Sequence, residues 1–127
     1  DIGKLGEDLA VKWLVDKGYQ MVTRNYRKPF GEIDIVARET KGRIHFVEVK
    51  SVSYETRDLL EYAVSHETWR PEEMVHREKQ RRFKNIIQTW LSENPNIIDF
   101  QIDIITVRLV PREKYARISI IENVIFD

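Results

Sequence analysis

GEIDIVARETKGRIHFVEVK, residues 31–50, is two apolar runs around a turn. The runs are Gly31-Glu32-Ile33-Asp34-Ile35-Val36 and Phe46-Val47-Glu48-Val49-Lys50, and between them Thr40-Lys41-Gly42 reads as a three-residue hairpin loop. Glycine at the last loop position takes the left-handed backbone without steric cost. With that loop Glu39 faces Arg43, Val36 faces Phe46, Asp34 faces Glu48 and Glu32 faces Lys50. Two carboxylates directly opposite each other on one face of a sheet repel. A divalent cation with a nearby lysine offsets that repulsion, so register alone predicts a metal site at Asp34 and Glu48.

Side chains alternate between faces along a strand, and directly paired residues share a face. In this register Ile33, Ile35 and Ala37 share an almost wholly apolar face with His45, Val47 and Val49. The other face carries Val36, Ile44 and Phe46 near the turn and Glu32, Asp34, Glu48 and Lys50 at the far end. The plainer alternative is a solvated strand end with a Glu32–Lys50 surface pair worth under about 1 kcal/mol.

At 127 residues the chain is read as one domain, 1–127, long enough to bury roughly two-thirds of its unfolded surface. Its 21 basic and 21 acidic residues balance, so contact with nucleic acid must come from local patches. The absence of cysteine excludes disulfides and thiolate zinc sites and fits a reducing, cytoplasmic compartment. No apolar run approaches membrane-spanning length, so no membrane partner is expected. The opening at Asp1 without a methionine is read as a trimmed start, with nothing that suggests a signal peptide.

Leu5, Leu9, Ala10, Trp13 and Leu14 recur at helical spacing, with Gly18 as a stop and Glu7 at the edge of the stripe. Residues 19–26 read as a first strand, with Arg24, Arg27 and Lys28 toward its end. Residues 53–70 form a long connection holding either a short helix or a mobile loop, and such connections are usually functional or disordered. Arg70-Pro71-Glu72-Glu73 carries helix-start signals, and the helix is expected to run to about Ser92. Val75, Phe83, Ile86, Ile87, Trp90 and Leu91 form its apolar face, which His76, Lys79 and Gln80 extend. Arg77, Arg81 and Arg82 lie elsewhere around the axis; with Lys79 and Lys84 they make a basic stretch suited to phosphates. Residues 99–110 and 115–124 read as two more strands. Helix, three strands, helix, two strands predicts an α/β sandwich, αβββαββ, with a central mixed sheet flanked by helices.

Two carboxylates and a lysine around one point suit metal-assisted phosphodiester hydrolysis. Asp34 and Glu48 would hold Mg²⁺ or Mn²⁺, hard cations that prefer oxygen ligands. Lys50 would orient the attacking water or stabilise developing charge. Glu7 adds a carboxylate if the first helix packs over this end of the sheet. Lys79, Arg77, Arg81 and Arg27 are the candidate phosphate contacts. His45 projects to the apolar face and is not expected as a ligand.

Asp34 followed by Glu48-Val49-Lys50 resembles the D…ExK signature of the restriction-endonuclease-like, or PD-(D/E)XK, nucleases. A longer set is similar to the bacterial YraN family, UPF0102. It comprises Gly3, Gly6-Glu7-Asp8, Ala10, Leu14, Gly18-Tyr19, Asn25-Tyr26-Arg27, Gly31-Glu32-Ile33-Asp34, Phe46-Val47-Glu48-Val49-Lys50 and Lys79-Gln80. Members of that family are similar to archaeal Holliday junction resolvases. The resemblance implies a restriction-endonuclease-like core and a nuclease centre at Asp34, Glu48 and Lys50. It also implies Glu7 as the acid of the first helix and Gln80 as a polar residue facing the site. Ile33 stands where the superfamily has proline, and Val52 where many relatives have arginine. DNA is the expected partner, in branched or damaged form, and resolvase-like cutting of two strands calls for a homodimer. Tyr54, Tyr62 and Trp69 are candidates for that contact. The competing readings are a non-catalytic nucleic-acid-binding or adaptor domain on the same scaffold, and a protein-interaction domain.

Overall fold

The computed structural model describes residues 1–66 and 77–125. Helix α1, Ile2–Asp16, is capped by the Asp1 carboxylate, which accepts the backbone N–H groups of Gly3 and Lys4. Strands β1 (Gln20–Lys28), β2 (Gly31–Arg38) and β3 (Ile44–Ser53) follow as an antiparallel meander. Helices α2 (Arg57–Ser65) and α3 (Arg77–Glu93) lie within the crossover to β4 (Phe100–Val110), which runs parallel to β3. A 3₁₀ turn leads into β5, Tyr115–Ile121, antiparallel to β4. The sheet order is β1-β2-β3-β4-β5.

This is the mixed α/β sandwich expected, with helix, three strands, helix and two strands in the order expected and one addition. The connection after β3 does hold a short helix, α2, capped by the Thr56 hydroxyl on the Leu59 N–H and anchored by buried Leu60. Trp69, the start signals at 70–73, Val75, His76 and the Arg77 side chain lie outside the described residues.

The two long helices cover opposite faces. On one, Ala10 and Leu14 of α1 pack with Ile35, Ala37, Val47, Ile105, Val107 and Leu109. On the other, Phe83, Ile86, Ile87 and Trp90 of α3 pack with Ile33, Val36, Ile44 and Phe46. Both faces of the central strands are therefore apolar, as expected for a sheet sandwiched by helices. Leu5, expected in the α1 stripe, is instead 42% exposed, and Gly6 is buried in its place. A Cβ on Gly6 would stand 1.9 Å from Ser51 Oγ, so glycine lets α1 lie directly on β3.

The hairpin register is confirmed near the turn and corrected at the far end. The Glu39 N–H reaches the Arg43 carbonyl at 3.0 Å, and Val36 pairs with Phe46. Among the ladder pairs the last is Ile35–Val47, so Asp34–Glu48 and Glu32–Lys50 are not ladder partners. On the β1 side, Asn25 takes the left-handed conformation, φ 52°, between the pairs Arg24–Ile35 and Tyr26–Ile33. Regular alternation across Asp34 is lost with it. Ile33 packs under α3 while Ile35 and Ala37 pack under α1, contrary to the single shared face expected.

Candidate active site

Beyond Ile35 and Val47 the strands part, and the Asp34 carboxylate accepts the Val49 backbone N–H at 2.8 Å. A side chain thus takes a donor that a ladder carbonyl would otherwise satisfy. The parting opens a cleft of about 1140 Å³, bounded by residues of α1, the β1–β2 turn, β2, β3 and α3. Asp34, Glu48, Lys50 and Lys79 all line it.

Glu48 is nearly buried, its side chain 9% exposed, and its Oε1 receives two ammonium groups. Lys50 Nζ lies 3.1 Å away from the same strand, and Lys79 Nζ lies 3.0 Å away from α3. Burial, then the adjacent charge of Glu48, pushes the Asp34 carboxyl up to about 8 despite the stabilising Val49 N–H. Burial and the neighbouring Lys79 hold Lys50 below the usual lysine range, although Glu48 pulls the other way. Burial also lowers Lys79, but its contact with Lys50 and the charge of Glu48 outweigh this, so it lies above the usual range. Lys79 is therefore the fixed cation of the pair and Lys50 the one that releases its proton more readily.

Glu7 lines the cleft from α1 and is held by Arg24 Nη2 at 3.3 Å, a guanidinium that also binds Asp8 at 2.7 Å. Arg24 was visible in the sequence only as one of three cations near a strand end; nothing there paired it with Glu7 across 17 residues. Arg27 lines the cleft and bonds Glu32 at 2.7 Å, so Glu32 is committed to β1 rather than to Lys50. Arg81 and Arg82 line it too, both meeting Glu78. Gln80 is half-buried and not among the cleft-lining residues. Lys79, expected only as a phosphate contact, reaches the carboxylate centre itself, because helical curvature turns it inward one turn before buried Phe83.

A second charged group lies nearer the hairpin turn on β3. His45 is buried with its edge toward the Tyr19 ring, on the face expected. Its Nδ1 meets Asp103 at 2.6 Å and its Nε2 meets Glu39 at 2.6 Å. Burial lowers the imidazole pKa, but bonds to Asp103 and Glu39 outweigh this and leave it above the ordinary value. Asp103 is further satisfied by Gln101 Nε2 at 2.9 Å and the Asn123 N–H at 3.0 Å. His45, Asp103 and Glu122 bring ligand-type atoms within 4.8 Å of one another. Among the described residues, Glu7, Asp34 and Glu48 do not gather that tightly.

Residues 6–107 match the sequence family described as Uncharacterised protein family UPF0102. The chain belongs to UPF0102. The UPF0102 protein of Dictyoglomus turgidum is 40% identical over 114 residues, covering 88% of this chain and 86% of its own. That of Dictyoglomus thermophilum is 36% identical over 110 residues, covering 86% and 83%. That of Campylobacter hominis is 34% identical over 123 residues, covering 93% and 88%. Among solved structures, this UPF0102 chain is similar to the EndoMS–dsDNA2 complex with a TM-score of 0.39 and 12% identity over 76% of its length. It is similar to Pyrococcus furiosus SfsA in complex with Ca²⁺ with a TM-score of 0.32 and 14% identity over 94%. The chain spans 34% of the first of these chains and 60% of the second. Glu7, Asp34, Glu48, Lys50 and Lys79 all fall inside the segment that matches UPF0102.

Proposed function

We propose that this chain is a metal-dependent endonuclease that hydrolyses phosphodiester bonds in DNA. The observation that carries the reading is the meeting of buried Asp34 and Glu48 with Lys50 and Lys79 in one cleft. Asp34 and Glu48 supply hard oxygen donors of the kind Mg²⁺ and Mn²⁺ take. Burial and the charge of Glu48 disfavour the ionised form of Asp34, and a divalent ion would favour it. An ion held there supplies polarisation of the phosphate and a more acidic bound water.

The remaining chemistry falls to side chains. Asp34 would hold the ion as a carboxylate, its proton released to solvent. Lys50, with its pKa held down, orients the attacking water and offsets charge developing on the phosphate. Lys79 is 49% exposed along its side chain, so its ammonium can pass from Glu48 to a phosphate oxygen when substrate enters. Arg24 holds Glu7 toward the cleft as a further carboxylate. Arg27, Arg81 and Arg82 at the margin neutralise flanking phosphates.

One observation favours the second reading, a non-catalytic nucleic-acid-binding domain: two lysines already neutralise Glu48 without a metal. A labelled panel of four-way junction, flap, single strand, duplex and RNA, incubated with Mn²⁺ or Mg²⁺, separates the two. Cutting by the parent chain and none by Asp34→Asn supports the nuclease and names its substrate. Nucleic-acid binding unchanged by Asp34→Asn, with neither Mn²⁺ binding nor cutting in the parent, supports the binding domain and sinks the nuclease.

A further inference from the structure

Lys28 and Gly31 pair across the β1–β2 connection, leaving Pro29 and Phe30 as its two-residue tip. Proline at the second position of a tight turn and glycine at the fourth both suit its backbone. Phe30 has no such role. Its ring is 46% exposed and belongs to neither core cluster, yet it lines the same cleft as Asp34 and Glu48. A lone exposed aromatic on a free surface is ordinary. Phe30 stands instead at the margin of a charged cleft, on a tip packed against α3.

The tip is fixed by α3. A Cβ on Gly31 would lie 3.2 Å from the Arg82 carbonyl oxygen and 3.3 Å from Ile86 Cβ, so the turn runs directly against the helix. Lys28 Nζ lies 3.6 Å from Glu93, whose other carboxylate oxygen accepts the Tyr26 hydroxyl. The Lys28 ammonium also stands 5.2 Å from the Tyr26 ring centre. With these side chains engaged on the helix, Phe30 is the aromatic group that the turn presents to the cleft, beside Pro29.

We infer that Phe30 stacks on an unpaired base, and hence that the substrate is DNA with an unstacked nucleotide beside the scissile phosphate. The inference rests on the nuclease reading of the same cleft. In a continuous duplex the base faces are covered by their neighbours, and a side chain at the surface meets phosphate and sugar. A ring meets a base face without the cost of unstacking a duplex step where the base has already left the stack, as at a bulge, flap or branch. Arg27 and Arg81, lining the same cleft, are placed for the flanking backbone.

The test uses duplexes carrying 2-aminopurine either as a single unpaired bulge or fully paired, with Ca²⁺ in place of Mg²⁺. The parent chain is expected to bind the bulged duplex roughly 10-fold tighter than the paired one, with quenching of the bulged fluorophore. Phe30→Ala should bring that ratio close to one, and Phe30→Trp should restore it. A ratio that persists in Phe30→Ala overturns the inference. So does a parent chain that binds and cuts both duplexes equally, an outcome that leaves the nuclease reading standing. A Phe30-dependent ratio with no Mn²⁺-supported cutting of either duplex keeps the stacking contact and removes the nuclease. No binding to either duplex overturns the inference and leaves the nuclease reading to the wider panel of substrates.

Discussion

Two groups of buried charge lie three residues apart along β3, and they are built differently. Around His45 each ring nitrogen meets a carboxylate at 2.6 Å, Asp103 is completed by Gln101 and the Asn123 N–H, and Glu122 stands close by. Around Glu48 the charges converge on a cleft. Both lysines crowd onto Glu48 Oε1, while Asp34 takes the Val49 N–H and a contact with Glu32. The first group closes a sheet. The second lines a cleft, where burial and Glu48 push the Asp34 carboxyl up to about 8. A shifted carboxyl that lines a cleft is a candidate for chemistry, because such shifts gather at functional sites.

The sharpest way to break this contrast is His45→Ala. It strips Asp103 and Glu39 of their shared partner, and should lower unfolding free energy in urea by about 3–5 kcal/mol. Asp34→Asn should act in the opposite direction. It keeps an acceptor for the Val49 N–H and removes the repulsion with Glu48, so the metal-free protein gains on the order of 2 kcal/mol at pH 9.

That gain has a defined pH course. The folded carboxyl, raised from 3.8 to about 8, holds a proton that the unfolded chain has released across that window. The parent chain therefore loses stability as pH rises from about 4 to about 8. Asp34→Asn should show no advantage in thermal melts near pH 4, and the full advantage above pH 8. The raised His45 pKa adds a loss of the same sign, its stabilisation being complete below 6.5 and fading as pH passes the folded value. Asp34→Asn should leave that second component untouched.

Gly6→Ala tests whether α1 must lie on β3 for the cleft to form. The added methyl meets Ser51 Oγ at 1.9 Å and Cβ at 2.9 Å, so the helix must lift. A cost of about 1–3 kcal/mol is expected, with Glu7 drawn away from the cleft and Mn²⁺ affinity reduced by calorimetry. The smallest effect is expected from Arg27→Ala. Its Glu32 pair is solvent-exposed and worth under about 1 kcal/mol, so melting should scarcely change. Its mark should appear in DNA binding instead, as a log–log salt slope shallower by about 1.

The helices and strands were legible because each carries its own periodicity. Ala10 and Leu14 fall on one helical face, Phe83 to Trp90 on another, and the hairpin turn follows from Gly42, which indeed takes φ 97°. The pairing of Glu39 with Arg43 and of Val36 with Phe46 follows from that turn. The approach of Asp34 to Glu48 was legible too, but for an incomplete reason. Alternation assumes that a ladder continues, and nothing local in Ile33-Asp34-Ile35 announces that this one stops. Left-handed Asn25 and the capture of the Val49 N–H depend on a neighbouring strand and a parted one.

Sequence by itself determined the elements, the two apolar helix faces and the carboxylates and lysine at one end of β2 and β3. These depend on spacing within a segment, which secondary structure converts directly into direction. Tertiary structure alone decided which charges are matched. Lys79 reaches Glu48 from a helix 31 residues on, Arg24 reaches Glu7 across 17, and Asp103 reaches His45 across 58. Such distances close only when the sheet and both helix layers are assembled. Burial then fixes how strongly each pair interacts.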